Sequence, residues 1–97
     1  MIEHTVSFRL VHAPGSAQEG DFLNTARAAL ADIPGVQDFA VRRQVSPKSD
    51  HAFGFSMRFA DQAAYDAYDS HPRHTAFVAE RWVPEVASFQ ELDFTGL

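Results

Sequence analysis

The chain contains no cysteine. That rules out thiol nucleophiles, thiolate metal ligands and a disulfide framework, and it agrees with a reducing cytoplasm, the expected location. Long apolar runs are also missing, so no membrane span is expected. The opening MIEHTVSF has neither a basic segment nor an extended apolar core, and does not read as a secretory leader. Basic residues are few: eight Lys and Arg stand against thirteen Asp and Glu, a net charge of −5. No basic block stands out, so nucleic acid is not an expected partner, and the acidic balance serves solubility.

What remains is a short, aromatic-rich chain. Its 97 residues are 45% hydrophobic and include nine phenylalanines, enough bulk for one domain to fold without staples. No repeats and no low-complexity segments interrupt it. The densest chemistry lies in Tyr65–Trp82, YDAYDSHPRHTAFVAERW, where two histidines flank a proline and two tyrosines precede it.

Residues 2–12 alternate strictly. Ile2, His4, Val6, Phe8 and Leu10 share one face; Glu3, Thr5, Ser7 and Arg9 share the other. A period of two predicts a strand with one buried face, and it puts His4 among core residues. After the APGS turn, Ser16 caps a predicted helix, with Glu19 at capping-box spacing. Phe22, Leu23, Ala26, Ala29, Leu30 and Ile33 form its apolar stripe, and Pro34-Gly35 ends it. A second strand is expected over 36–45, with Phe39, Val41 and Val45 on one face, then a polar loop over 46–50. The third strand, 51–59, puts His51, Phe53, Phe55, Met57 and Phe59 on the core side.

Asp61 is an N-cap for a helix over 62–69. His71 leaves that helix because proline follows, and Pro72 suits the first position of the next. His74, Phe77, Val78, Arg81 and Trp82 fall on one stripe of this helix, which Pro84 ends. A last strand spans 86–94; Phe89 is out of phase with Leu92 and Phe94, which predicts a bulge. The order β-α-β-β-α-β is the α+β, ferredoxin-like arrangement: an antiparallel sheet with helices on one face. The other face carries Thr5, Ser7, Arg9, Gly54, Ser56 and Arg58, polar or small residues that suit solvent or a second sheet at close approach.

His4, His51 and His74 all fall on core-facing positions. Buried imidazoles are usually satisfied structural residues, but three of them with Tyr68 and His71 close in sequence point to a polar pocket beneath the helices. Histidine exchanges protons near neutrality and a tyrosine hydroxyl donates to a developing oxyanion. Apolar walls suit an apolar or aromatic ligand. No G-x-S-x-G elbow supports a serine nucleophile. His71-x-x-His74 has a spacing found in metal sites, but Pro72 turns the rings apart and no carboxylate joins them. Neither metal nor cofactor is expected.

EHTVSFRL, the IPGV turn at 33–36, DHAFGFSMRF and HPRHTAFV together resemble the stress-responsive α/β-barrel (Dabb) domain family. The similarity covers essentially the whole chain, and the H-P-x-H-x-x-F element from His71 to Phe77 is its most specific part. The resemblance implies a homodimeric α+β barrel built by packing two sheets together. It also implies, from the family's olivetolic acid cyclase, an intramolecular aldol condensation of a linear polyketide. On that resemblance Tyr68 and His74 are the catalytic pair, and His4, His51 and His71 line the substrate pocket. Ala26 replaces a pocket tyrosine of that enzyme, so pocket shape differs. The expected function is a polyketide cyclase-like His/Tyr acid–base reaction. The alternatives are a non-catalytic stress-related or ligand-binding homodimer and a cofactor-free monooxygenase of the wider dimeric α/β-barrel group.

Overall fold

Strand β1, Ile2–Leu10, alternates in burial as in sequence: His4, Val6, Phe8 and Leu10 are buried while their neighbours are not. The computed structural model describes residues 1–97. Helix α1, Ala17–Leu30, begins where Ser16 accepts a hydrogen bond from the Glu19 N–H. The Glu19 carboxylate reaches back one residue further than a capping box requires, to the Gly15 N–H at 3.1 Å. Gly35, at φ +93°, makes the turn into the next strand, in a conformation where a side chain is strained.

Strand β2 spans Gln37–Arg43, and β3 spans Phe53–Phe59. A register shift between Gln37 and Ala40 accompanies Asp38 at φ +53°, a conformation that short Asx side chains tolerate. Val45 lies beyond the end of β2 and is exposed, so it does not join Phe39 and Val41. The sheet order is β2-β3-β1-β4, with every neighbouring pair antiparallel.

Helix α2, Gln62–Asp69, is capped by Asp61, which accepts from the Ala64 N–H at 2.9 Å. Helix α3, Pro72–Phe77, has His71 as its N-cap and proline at its first position. The chain does not stop at Pro84. It passes through a π-helical turn, Val78–Trp82, into the short helix α4, Val83–Glu85. Proline lacks an N–H and its ring crowds the carbonyl four residues back; the widened turn just upstream accommodates it. Strand β4, Val86–Phe94, pairs with β1, and the register slips between Arg9 and Leu10 so that Ala87 is left unpaired. This bulge puts Val86 and Phe89, three residues apart, on the same side. Leu92 and Phe94 keep the phase of the opposite, helix-free face.

Phe8, Phe22, Phe59, Ile33 and Met57 are essentially sealed between helices and sheet. Phe8 contacts the rings of Phe22, Phe53, Phe55 and Trp82, with centroids 4.7–5.9 Å apart. Burying each such ring contributes about 1.5–3 kcal/mol, and this cluster holds α1 and the π-helical turn on the sheet.

Candidate functional site

Three polar side chains reach one cavity from three elements. His4 comes from β1, where it pairs in register with Met57 on one side and Asp93 on the other. Tyr68 sits in the last turn of α2 and His74 in the first turns of α3. The break between those helices sets their relative direction. His71 Nδ1 accepts from the Arg73 N–H at 3.1 Å, and the Arg73 guanidinium then donates to the Ala28 carbonyl at 2.9 Å and the Asp32 carboxylate at 2.6 Å. So α3 is tied back to α1 while the Tyr68 and His74 rings meet at 4.6 Å.

The cavity they share measures about 490 Å³, within the range of small-molecule pockets. The sheet, through Val6, Phe55 and Met57, supplies its floor. The helical layer, through Phe77, Val78 and Trp82, supplies its roof. Val83 and Phe89 also line it, yet are 69% and 52% exposed, and the lining residues Asp69 and Glu91 are exposed too, so the cavity opens to solvent between the helical layer and the edge strand β4.

Hydrogen bonds fix both imidazoles. His4 Nδ1 lies 2.6 Å from the Asp93 carboxylate, and His74 Nδ1 lies 2.8 Å from the Asp69 carbonyl oxygen. Both partners only accept, so each Nδ1 carries the proton and donates. In the neutral ring the lone pair is then on Nε2. Neither Nε2 has a protein partner, and neither is sealed away as a buried unsatisfied atom. The Tyr68 hydroxyl is in the same position: the residue is buried, and its oxygen has no protein partner. Tyr68 stands between the two histidines, its ring 6.3 Å from that of His4.

Burial, and secondarily the charges of Tyr65, Asp69 and Glu91, raises the Tyr68 phenol above its ordinary value of 10.0. Burial likewise raises Tyr65, helped by its hydrogen bond to Asp93. The Tyr65 hydroxyl also lies 3.1 Å from His4 Nδ1. Since that nitrogen already donates to Asp93, the phenol's own proton is directed to the carboxylate. Tyr68 therefore stays a hydrogen-bond donor across the physiological range. No three His, Asp or Glu side chains converge as a metal-binding group.

The other two expected pocket histidines are placed elsewhere. His51 lies just before β3 and crosses to the helix-free face, with Nδ1 2.8 Å from the Ser7 hydroxyl and Nε2 3.1 Å from that of Ser88. Two serines on adjacent strands hold it there, outside the ladder whose alternation pointed it inward. His71 spends its side chain on capping α3, outside the cavity. Several groups in or behind the cavity escaped the sequence reading. Asp93 and Glu91 lie in an exposed strand, and only the β1–β4 register brings Asp93 to His4. Phe77 and Trp82 pack and line the cavity at once, while Tyr65 adds a bond to the His4–Asp93 pair.

The fold has counterparts in known proteins. A crystal structure of a Dabb family protein with a ferredoxin-like fold, from Mesorhizobium loti, is 55% identical over 99% of this chain and 96% of that one, with a TM-score of 0.98. A dimeric ferredoxin-like protein of unknown function from Thermobifida fusca is 21% identical over 98% and 90%, with a TM-score of 0.81. The hydroxynitrile lyase of Passiflora edulis also reaches 0.81, at 14% identity over 96% and 90%. The last two likenesses are likenesses of fold. No curated protein matches the chain. The family described as Stress responsive A/B Barrel Domain, Dabb, matches residues 2–95, and the chain belongs to that family.

Proposed function

We propose that the protein is a homodimeric acid–base enzyme that forms a carbon–carbon bond within a poly-β-keto substrate. The observation that carries the reading is the convergence of two imidazoles with free Nε2 atoms and one protonated phenol on an open, apolar cavity. In the reaction, His74 Nε2 takes a proton from the carbon between two carbonyls, and the Tyr68 hydroxyl donates a hydrogen bond to the resulting enolate oxygen. The enolate carbon attacks a second carbonyl carbon of the same molecule. The alkoxide so formed receives a proton from the His74 imidazolium, which restores the enzyme. His4, steadied by Asp93, binds a further substrate oxygen through Nε2. The dimeric state of several proteins that share the fold supports a dimer, as does the helix-free sheet face, where Leu92 and Phe94 stand about half exposed. That a hydroxynitrile lyase uses the same fold supports a scaffold able to host a lyase.

The test is cyclisation of linear poly-β-ketones by the wild type, His74→Ala and Tyr68→Phe. Each substitution is expected to lower turnover by about 10²-fold or more while circular dichroism and oligomeric state stay unchanged. Equal rates in folded variants would remove this mechanism.

A further inference from the structure

The proposed chemistry leaves the class of substrate open among neutral ketones, free acids and anionic thioesters, and the charges around the cavity separate these. No Lys or Arg lines it; the charged residues that do are Asp69 and Glu91. Both are exposed, which places them where the cavity meets solvent. A third carboxylate, Asp93, stands behind His4. The arginines nearest in sequence are engaged elsewhere. Arg73 is bound to Asp32 and the Ala28 carbonyl, and Arg81 to Glu85, Asp21 and Thr25.

We infer that this cavity selects an uncharged, carbonyl- or hydroxyl-bearing aromatic-sized ligand and rejects the carboxylate or phosphate form of the same skeleton. An anion entering past Asp69 and Glu91 approaches like charges, and inside it leaves water for apolar walls that offer no counter-cation. A neutral ligand meets none of these costs and can still bond to Tyr68 and the two Nε2 atoms. Asp69 and Glu91 both add to the upward shift of the Tyr68 phenol, so their field reaches the interior. The inference deepens the acid–base reading, and relies on it for the orientation of the ligand oxygen.

The experiment is calorimetric titration, at low ionic strength and at a pH where free imidazole is neutral, with two probes of one skeleton: 2-acetylnaphthalene and 2-naphthoate. The ketone is expected to bind the wild type roughly tenfold more tightly than the carboxylate. In Asp69→Asn/Glu91→Gln the ratio is expected to shrink several-fold, through tighter carboxylate binding, and in the wild type added salt should shrink it as well. Equal or tighter binding of naphthoate overturns the inference. So does a ratio unmoved by the double substitution, and so does the absence of binding by either probe. None of these outcomes depends on turnover, so a catalytically silent protein that still prefers the ketone would sink the mechanism and leave the selectivity standing.

Discussion

His4 on β1 donates its Nδ1–H to Asp93 on β4 at 2.6 Å, across a register in which the two residues are direct partners. A carboxylate so placed fixes the imidazole tautomer. The His4 side chain is 9% exposed and that of Asp93 44%, so the bond is wet on one side only. Asp93→Asn offers an amide that can present either its oxygen or its nitrogen to the ring. Nitrogen-15 spectra of the imidazoles are expected to show the Nδ1–H form of His4 in the wild type and a mixture in the variant. The melting temperature is expected to fall by a few degrees, as for the loss of about 1 kcal/mol. An unchanged tautomer would mean that Asp93 does not set the orientation.

Both tyrosines of the chain are raised above the ordinary phenol value of 10.0, chiefly by burial. The neutral phenol is the form that the fold favours. Its contribution to stability is therefore complete below pH 10 and is lost as pH rises through the raised folded values. Absorbance at 295 nm is expected to show little tyrosinate in the native protein at pH 10.5, while the unfolded chain at the same pH shows two titrating groups. A native curve with a full tyrosine ionising at its ordinary value contradicts this.

At the far end of the helical layer, Glu85 accepts from Arg81 and lies 2.7 Å from His12 Nε2. Arg81 also reaches Asp21 and Thr25 on α1. These bonds, led by that of Arg81, hold the Glu85 carboxyl below its ordinary value of 4.5. A depressed folded value means stability that is present above pH 4.5 and lost as pH falls through the folded value. Thermal melts from pH 7 to pH 3 are expected to decline less steeply in Glu85→Gln than in the wild type, with the variant already lower at pH 7. Parallel curves would show that Glu85 titrates outside the acid transition.

The elements were legible in the sequence wherever one physical signal acted alone. Alternation gave β1, and Ser16 and Asp61 marked helix starts because each side chain caps an N–H three residues on. The site was legible only in part. His4 and His74 follow the period of their elements, so their direction could be read from spacing. His51 sits just outside the ladder, where alternation has no authority, and serine hydroxyls decide its direction. His71 has a backbone N–H to cap, a local demand that outweighs any distant pocket. Asp93 depends on strand pairing across the chain, a relation that no local pattern carries. Pro84 read as a stop because an α-helix cannot hold it; the π-helical turn removes the crowding and lets the helix continue to Glu85.

The central claim, that Tyr68 and His74 move a proton next to a carbonyl, is tested most directly by deuterium exchange into the methyl group of 2-acetylnaphthalene, followed by proton NMR in D₂O. The measurement needs no knowledge of the natural substrate and isolates the first step of the reaction. The wild type is expected to accelerate exchange over buffer, with His74→Ala and Tyr68→Phe each slower by about 10²-fold. Exchange at the buffer rate with the wild-type protein, or at the wild-type rate with both variants, would contradict the account.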